Sequence, residues 1–286
     1  MKNILLFIAV VILFMGSVNA QNVLDGIYVK EHVTARKPVP YYHLREADVS
    51  WSKTVWRMLD LKEKQNHKFY YPIVPTDNRL SLAGLMVAGI ESEGTVVYNP
   101  DVINNEFDQE LTPEEVQFRL GAEPDSSNVE NLETGEYEWK YTTKEIDYSE
   151  ITRILMKEQW AFDKQRSMIV VRITGLCPIR RYIKGDTEAE AGEEVILTPK
   201  KIFWAYFPAY RPLFAKQEVF NSTNDSERRT FDDIFFKRKF ASHIYRITNP
   251  FENRNLDSYK KGADLLIEAD KIKDFLFRFE HDLWEF

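Results

Sequence analysis

The sequence predicts an α+β fold: an antiparallel strand pair or small sheet packed with several helices, the last of them long. Three observations predict it. Strand-like runs cluster mid-chain, where Arg166 to Leu176 is rich in β-branched residues and Lys201 to Phe207 is strongly aromatic. Helix starts and helical spacings flank those runs without the strand–helix alternation of parallel units. Near the end, Leu265, Ala269, Ile272, Leu276, Phe279 and Leu283 recur four and three residues apart as one apolar seam.

In chain order, Lys2 precedes an apolar run from Ile4 to Met15, too short for the about 20 residues that cross a bilayer. Gly16 and Ser17 follow, and Val18 and Ala20 stand three residues and one residue before a cut at Gln21. Residues 1–20 therefore read as a cleaved secretory signal, with an uncleaved anchor as the alternative. Residues 21–286 are expected to form a single domain. No later segment has the uninterrupted length of a membrane span, and Leu80 to Ile90 reads as a short buried helix. Cys177 is the only cysteine, so an internal disulfide is excluded and its apolar neighbours mark it as a buried thiol.

Asp48 or Ser50 caps an expected helix to about Gln65, with Trp51, Val55, Met58 and Leu59 on one face and Trp56 about 140° from Trp51. Thr112-Pro113-Glu114-Glu115 has the form of a capping box, and Gly121 closes that helix. Asp147 with Glu150 is read as starting another helix, with Ile151, Ile154 and Leu155 inward. Gly185 to Pro199 reads as a loop between the mid-chain strands, which are expected to pair antiparallel. On the last helix, Leu266, Phe277 and Trp284 make a second apolar stripe about 100° from the seam, either core or interface.

Charge is uneven. Asp101 to Glu150 holds 15 acidic and 3 basic residues, so the net charge of −7 originates in that segment. Its part from about 101 to 140 reads as an insertion, and Gly121 to Glu130 lacks hydrophobic periodicity and is expected to be a mobile loop. The segment is either a solvated surface or a dock for a basic partner. Arg228-Arg229 and Lys237-Arg238-Lys239 form a basic patch among Phe231, Phe235, Phe236 and Phe240. It is either a solvated face over a phenylalanine core or a contact for an acidic surface. The acidic balance argues against nucleic acid, which demands a concentrated positive field.

No sequence signature of catalysis or of a cofactor is present. There is no phosphate-cradling glycine loop, no Gly-x-Ser-x-Gly and no His-Glu-x-x-His. His32, His43, His67, His243 and His281 are dispersed, with no pair at ligand spacing. His281-Asp282-Leu283-Trp284 places an acid beside an aromatic, at a helix end where capping or packing accounts for it. A site assembled from distant residues stays open.

Several stretches carry a resemblance: Tyr28-Val-Lys-Glu-His32, Leu44 to Arg57, Asp60 to Asn66, Trp160-Ala-Phe-Asp163, Val171-Arg-Ile173, Phe203 to Pro208, Phe231 to Phe235 and Glu280-His-Asp-Leu-Trp284. The chain resembles the GldN/PorN family of Bacteroidota from about residue 25 to the end, apart from about Asp101 to Lys140. The resemblance implies a non-enzymatic periplasmic subunit of the type IX secretion and gliding machinery. It further implies a ring of neighbouring copies beneath the outer membrane, assembled with a GldK/PorK-like lipoprotein and touching a GldM/PorM-like shaft. A ring closes through two unlike surfaces on each subunit. The expected partner-facing residues are Trp51, Trp56 and Arg57 on the first helix and Leu266, Phe277 and Trp284 on the last. A free glycan-binding module using its aromatic residues is the rival from another class.

Overall fold

The computed structural model describes residues 35–282, except 77–78, 103–105, 123, 131–136, 144–145, 184–196, 222–223 and 225–226. The expected signal, Leu283 and Trp284 lie outside the described residues. The strands are β1 (Val49–Asp60), β2 (Val97–Tyr98), β3 (Glu110–Leu111), β4 (Pro124–Glu130), β5 (Tyr137–Thr143), β6 (Ile151–Asp163), β7 (Met168–Ile183), β8 (Leu197–Lys201), β9 (Trp204–Tyr206), β10 (Glu218–Val219), β11 (Arg229–Thr230) and β12 (His243–Ile247). The α-helices are α1 (His67–Tyr70), α2 (Leu82–Glu93), α3 (Pro113–Leu120), α4 (Phe207–Lys216), α5 (Phe231–Phe236) and α6 (Ala263–Asp282).

The fold is α+β. An antiparallel sheet of eight strands runs in the order β12-β1-β6-β7-β9-β2-β3, and β8 pairs with β7 on the side that β9 also uses. The expected pairing of the two mid-chain runs is present: Leu176 of β7 faces Ala205 of β9. The sheet grows past a strand pair because two segments expected to be helical are its central strands. The helix expected from Asp48 or Ser50 to Gln65 is β1, and the one expected after Asp147 is β6.

The reason is burial on both sides. Val55, Trp56, Met58 and Leu59 are all buried, as are Ile151, Ile154, Leu155 and Met156. A strand covered on both faces loses its two-residue alternation, and apolar residues at i, i+1, i+3 and i+4 imitate a helix. The alternation survives in the destinations. Leu59, Ile154 and Met156 join the large core, whereas Trp56, Met58 and Leu155 join a smaller cluster with Cys177 and Trp204.

The helices expected elsewhere form. Thr112 accepts from the Glu115 amide (3.3 Å), and the Glu115 carboxylate accepts from the Thr112 amide (2.8 Å). Gly121 closes α3 at φ 95°, a left-handed conformation that glycine adopts without strain. Ser81 caps α2, which is buried along most of its length. The expected loop from Gly121 to Glu130 is a strand from Pro124 onward. It pairs with β5 in a two-stranded sheet of its own, since backbone ladders need no apolar alternation.

The large core lies where α1, α2, α4 and α5 cover one face of the sheet, and it is rich in phenylalanine. Phe69, Phe207, Phe214, Phe231 and Phe235 are essentially inaccessible and their rings lie 5.1–6.3 Å apart in contacting pairs. Gly175 on β7 is required by a close approach: a Cβ there would stand 2.8 Å from the Phe107 ring and 3.1 Å from Trp204.

Truncating Phe235 to alanine is expected to cost about 3–5 kcal/mol in urea unfolding, because a full ring leaves a cavity at the centre of that cluster. Truncating the exposed Phe118 is expected to change stability by less than about 1 kcal/mol.

Candidate functional site

The residues expected to face partners separate into inside and outside. Trp51 lies half-buried on β1, its ring 4.6 Å from that of Phe279 on α6. Trp56, five positions on, projects from the opposite face and is 5% exposed. Its indole Nε1 donates to Glu106 (3.0 Å). The angular separation expected on a helix is therefore the two-sidedness of a strand. Arg57 donates from Nε to the Ser242 hydroxyl (2.8 Å) and from a terminal nitrogen to the Ser242 carbonyl (3.0 Å). Burial lowers its pKa against the attraction of Glu158. Sequence spacing missed this because Ser242 is remote in the chain.

On α6 the seam packs as expected. Ala269 and Leu276 are buried, and Leu265 and Ile272 pack against Val55, Ile244 and Leu256. Outside it, Leu266 is 49% and Phe277 68% exposed, so the second stripe faces out from the described residues. Phe275 (57%) and Ile267 (54%) add apolar surface at other angles of the helix. Phe275 stacks on Phe279, extending the Trp51 contact outward. Trp284 lies outside the described residues.

Several charges inside the protein are paired. Glu158 is inaccessible and accepts from Trp160 Nε1 (3.0 Å) and Arg238 (2.7 Å). Arg211 forks onto both oxygens of Asp232 (2.8 and 3.1 Å), with the Tyr41 ring 4.2 Å from the guanidinium carbon. Glu106 ties three strands: Lys157 (2.7 Å) and Arg246 (2.7 Å) donate to it along with Trp56. The guanidinium of Arg246 lies 3.7 Å from the centre of a Trp56 ring. Burial pushes the Glu106 carboxyl up, but the bond and charge of Lys157 and the charge of Arg246 outweigh it, so its pKa falls below the usual value of 4.5. Glu106 lies within the acidic run, where composition conceals its role.

These groups hold structure together; none pairs a nucleophile with a base. Burial raises the Cys177 thiol to about 12, which keeps it protonated. Burial, with Arg153 and Arg57 nearby, lowers the pKa of His243. Among the described residues no three His, Cys, Asp or Glu side chains converge to hold a metal ion, and no helix is long and apolar enough to cross a membrane.

A family model described as gliding motility associated protein GldN matches residues 44–285. The chain belongs to the GldN family. A search of curated proteins finds no match. The GldN match spans β1 through α6, the whole sheet and every helix named above. It includes the exposed stripe of α6, the Glu106 knot and the Arg211–Asp232 pair, and makes the chain a component associated with gliding motility.

Two results are expected. Replacing Leu276 with alanine should cost about 2–5 kcal/mol, whereas Phe277→Ser should shift stability by no more than about 0.5 kcal/mol in chemical unfolding. A lowered carboxyl pKa stabilises the fold at pH above its unfolded value and loses that contribution as pH falls through the folded value. Stability measured from pH 7 down through 4 should therefore decline on the acid side, and Glu106→Gln should flatten that decline while weakening the protein at neutral pH.

Proposed function

We propose that the chain is a non-enzymatic structural subunit of the periplasmic ring of the type IX secretion and gliding machinery. The match of the whole sheet-and-helix fold to the GldN family carries this reading. Residues 1–20 direct export and are removed, and residues 21–286 form the working domain in the periplasm. There the subunit assembles with neighbouring copies and a GldK/PorK-like lipoprotein, which holds it at the inner face of the outer membrane. It also contacts a GldM/PorM-like shaft.

The physical arrangement supports an assembling role. Among the described residues Glu158 and Asp232 are paired internally, the buried thiol is protonated, and the conspicuous unmatched feature of α6 is apolar area turned outward. Leu266 and Phe277 are the proposed partner contacts, with Trp284 continuing the same stripe in sequence. Trp51 contributes through its support of Phe279, and Trp56 and Arg57 by fixing the strand that carries it.

Purifying a tagged full-length chain under gentle conditions from its native envelope tests the reading. The expected result is a very large assembly containing a lipoprotein and further copies of the chain. A lone monomer surviving that extraction would contradict it, and a monomer that binds glycan would replace it with a binding module.

A further inference from the structure

A cleft of about 540 Å³ opens between α1, the β10–β11 pair and the turn after α5. Lys64, Lys68, Arg229 and Lys239 line it, and no carboxylate does. Lys68 is half-buried, and its ammonium donates to the Lys239 main-chain carbonyl, a neutral partner that leaves the charge uncancelled. Burial lowers the pKa of Lys68, and the positive charges of Arg229 and Lys239 lower it further. Arg229 is paired with Glu227 through two 2.8 Å bonds, and that carboxylate also senses the charge of Lys239. Glu227 stands outside the lining and balances one of the four cations, so the cleft stays positive. Positive charge concentrated in a concave site attracts an anion. Tyr71 and Phe220, both half-exposed, wall the same cleft with flat apolar area, and Gln65 adds an amide.

The lining narrows the kind of anion. No glycine lines the cleft, so it lacks the backbone loop that cradles the polyphosphate of a nucleotide. Three of the four cations are lysines, whose ammonium groups act as point charges and suit a compact phosphate. β10 and β11 are two residues each and already paired with each other, which leaves little strand edge for an extended acidic peptide. Aromatic faces beside an amide suit a ring that is apolar on its faces and hydroxylated round its rim. We propose that this cleft binds a phosphate ester carried on a sugar ring, with the phosphate among Lys64, Lys68 and Lys239 and the ring against Tyr71 and Phe220. The volume falls within the about 300–1,000 Å³ in which proteins hold small molecules. Such a phosphosugar is either free in solution or the headgroup of a glycolipid, and the chemistry that recognises it is the same. The site needs only the fold of one chain, so it adds a ligand to the assembling role without depending on it.

Calorimetric titration of the full-length mature chain at about 50 mM salt, where charge in the cleft is weakly screened, tests it. Glucose 1-phosphate should bind at least about tenfold more tightly than inorganic phosphate, which meets the cations but not the rings. Glucose should not bind measurably. Lys64→Gln with Lys239→Gln, both exposed positions, should lose at least about tenfold in affinity. Phe220→Ser should bring glucose 1-phosphate down to the level of inorganic phosphate. Thermal melting verifies that each variant is folded. Lys261→Gln with Lys273→Gln removes the same charge from exposed positions outside the lining and should bind as the unmodified chain does. Flotation with phosphatidylcholine vesicles separates the two sources. Recruitment by vesicles carrying a phosphorylated diglucosamine glycolipid, but not by vesicles carrying phosphatidylglycerol, assigns the site to a headgroup. Binding of glucose 1-phosphate without recruitment assigns it to a free sugar phosphate. Neither binding nor recruitment overturns the proposal, as does recruitment by both vesicles alike or an equal loss in the Lys261 and Lys273 variant. Equal affinity for inorganic phosphate, or tighter binding of AMP or hexaglutamate, overturns it too. A chain that binds but purifies from its envelope as a lone monomer loses the subunit reading and keeps the site. An assembly that purifies intact while its chain binds none of these probes loses the site alone.

Discussion

The structure depends on burial of β1, β6 and β7 on both faces. Phenylalanine-rich helices and α6 cover one side, and the Glu106–Phe107 segment with Trp204 covers the other. A central strand so enclosed needs an apolar or fully paired residue at nearly every position. Glu158, Asp232 and Glu106 are acids placed inside under that constraint that each meet a cation or an indole at hydrogen-bond distance, and the buried Asp163 accepts from the Gln165 amide. Removing one partner of such a pair strands the other charge, so these contacts specify the arrangement more than they add stability.

What the fold leaves outward is unevenly distributed. Apolar area lies on α6, positive charge lines the cleft beside α1, and negative charge accumulates in the segment that includes the β4–β5 hairpin. A sheet covered on both faces gives the α6 surface and the cleft beside α1 fixed positions.

Much of this was legible in the residues. The α+β class, the capping box of α3, the buried α2 and the seam of α6 follow from local chemistry that tertiary context left unchanged. β1 and β6 did not, because double-sided burial placed apolar residues at positions that copy helical spacing. The same error set Trp51 and Trp56 on a helix; on the strand their odd and even positions send one to Phe279 and the other to Glu106. The family was legible from Leu44 to Asn66 even though its secondary structure was misread, since residue identity persists where periodicity misleads. The Glu106 knot and the anchoring of Arg57 were not legible, because their partners are far apart in sequence. The basic patch was visible at Arg229 and Lys239, but Lys64 and Lys68 join it only through the fold.

The most direct test of the account places a photo-reactive phenylalanine analogue at position 277 of the full-length chain in living cells. Its neighbours are then identified after illumination, with the buried position 235 as the control. A structural subunit with its outer helix face covered predicts a cross-link from 277 to another polypeptide chain and only internal cross-links from 235. Cross-links from 277 to its own chain alone, or to none, would contradict the account.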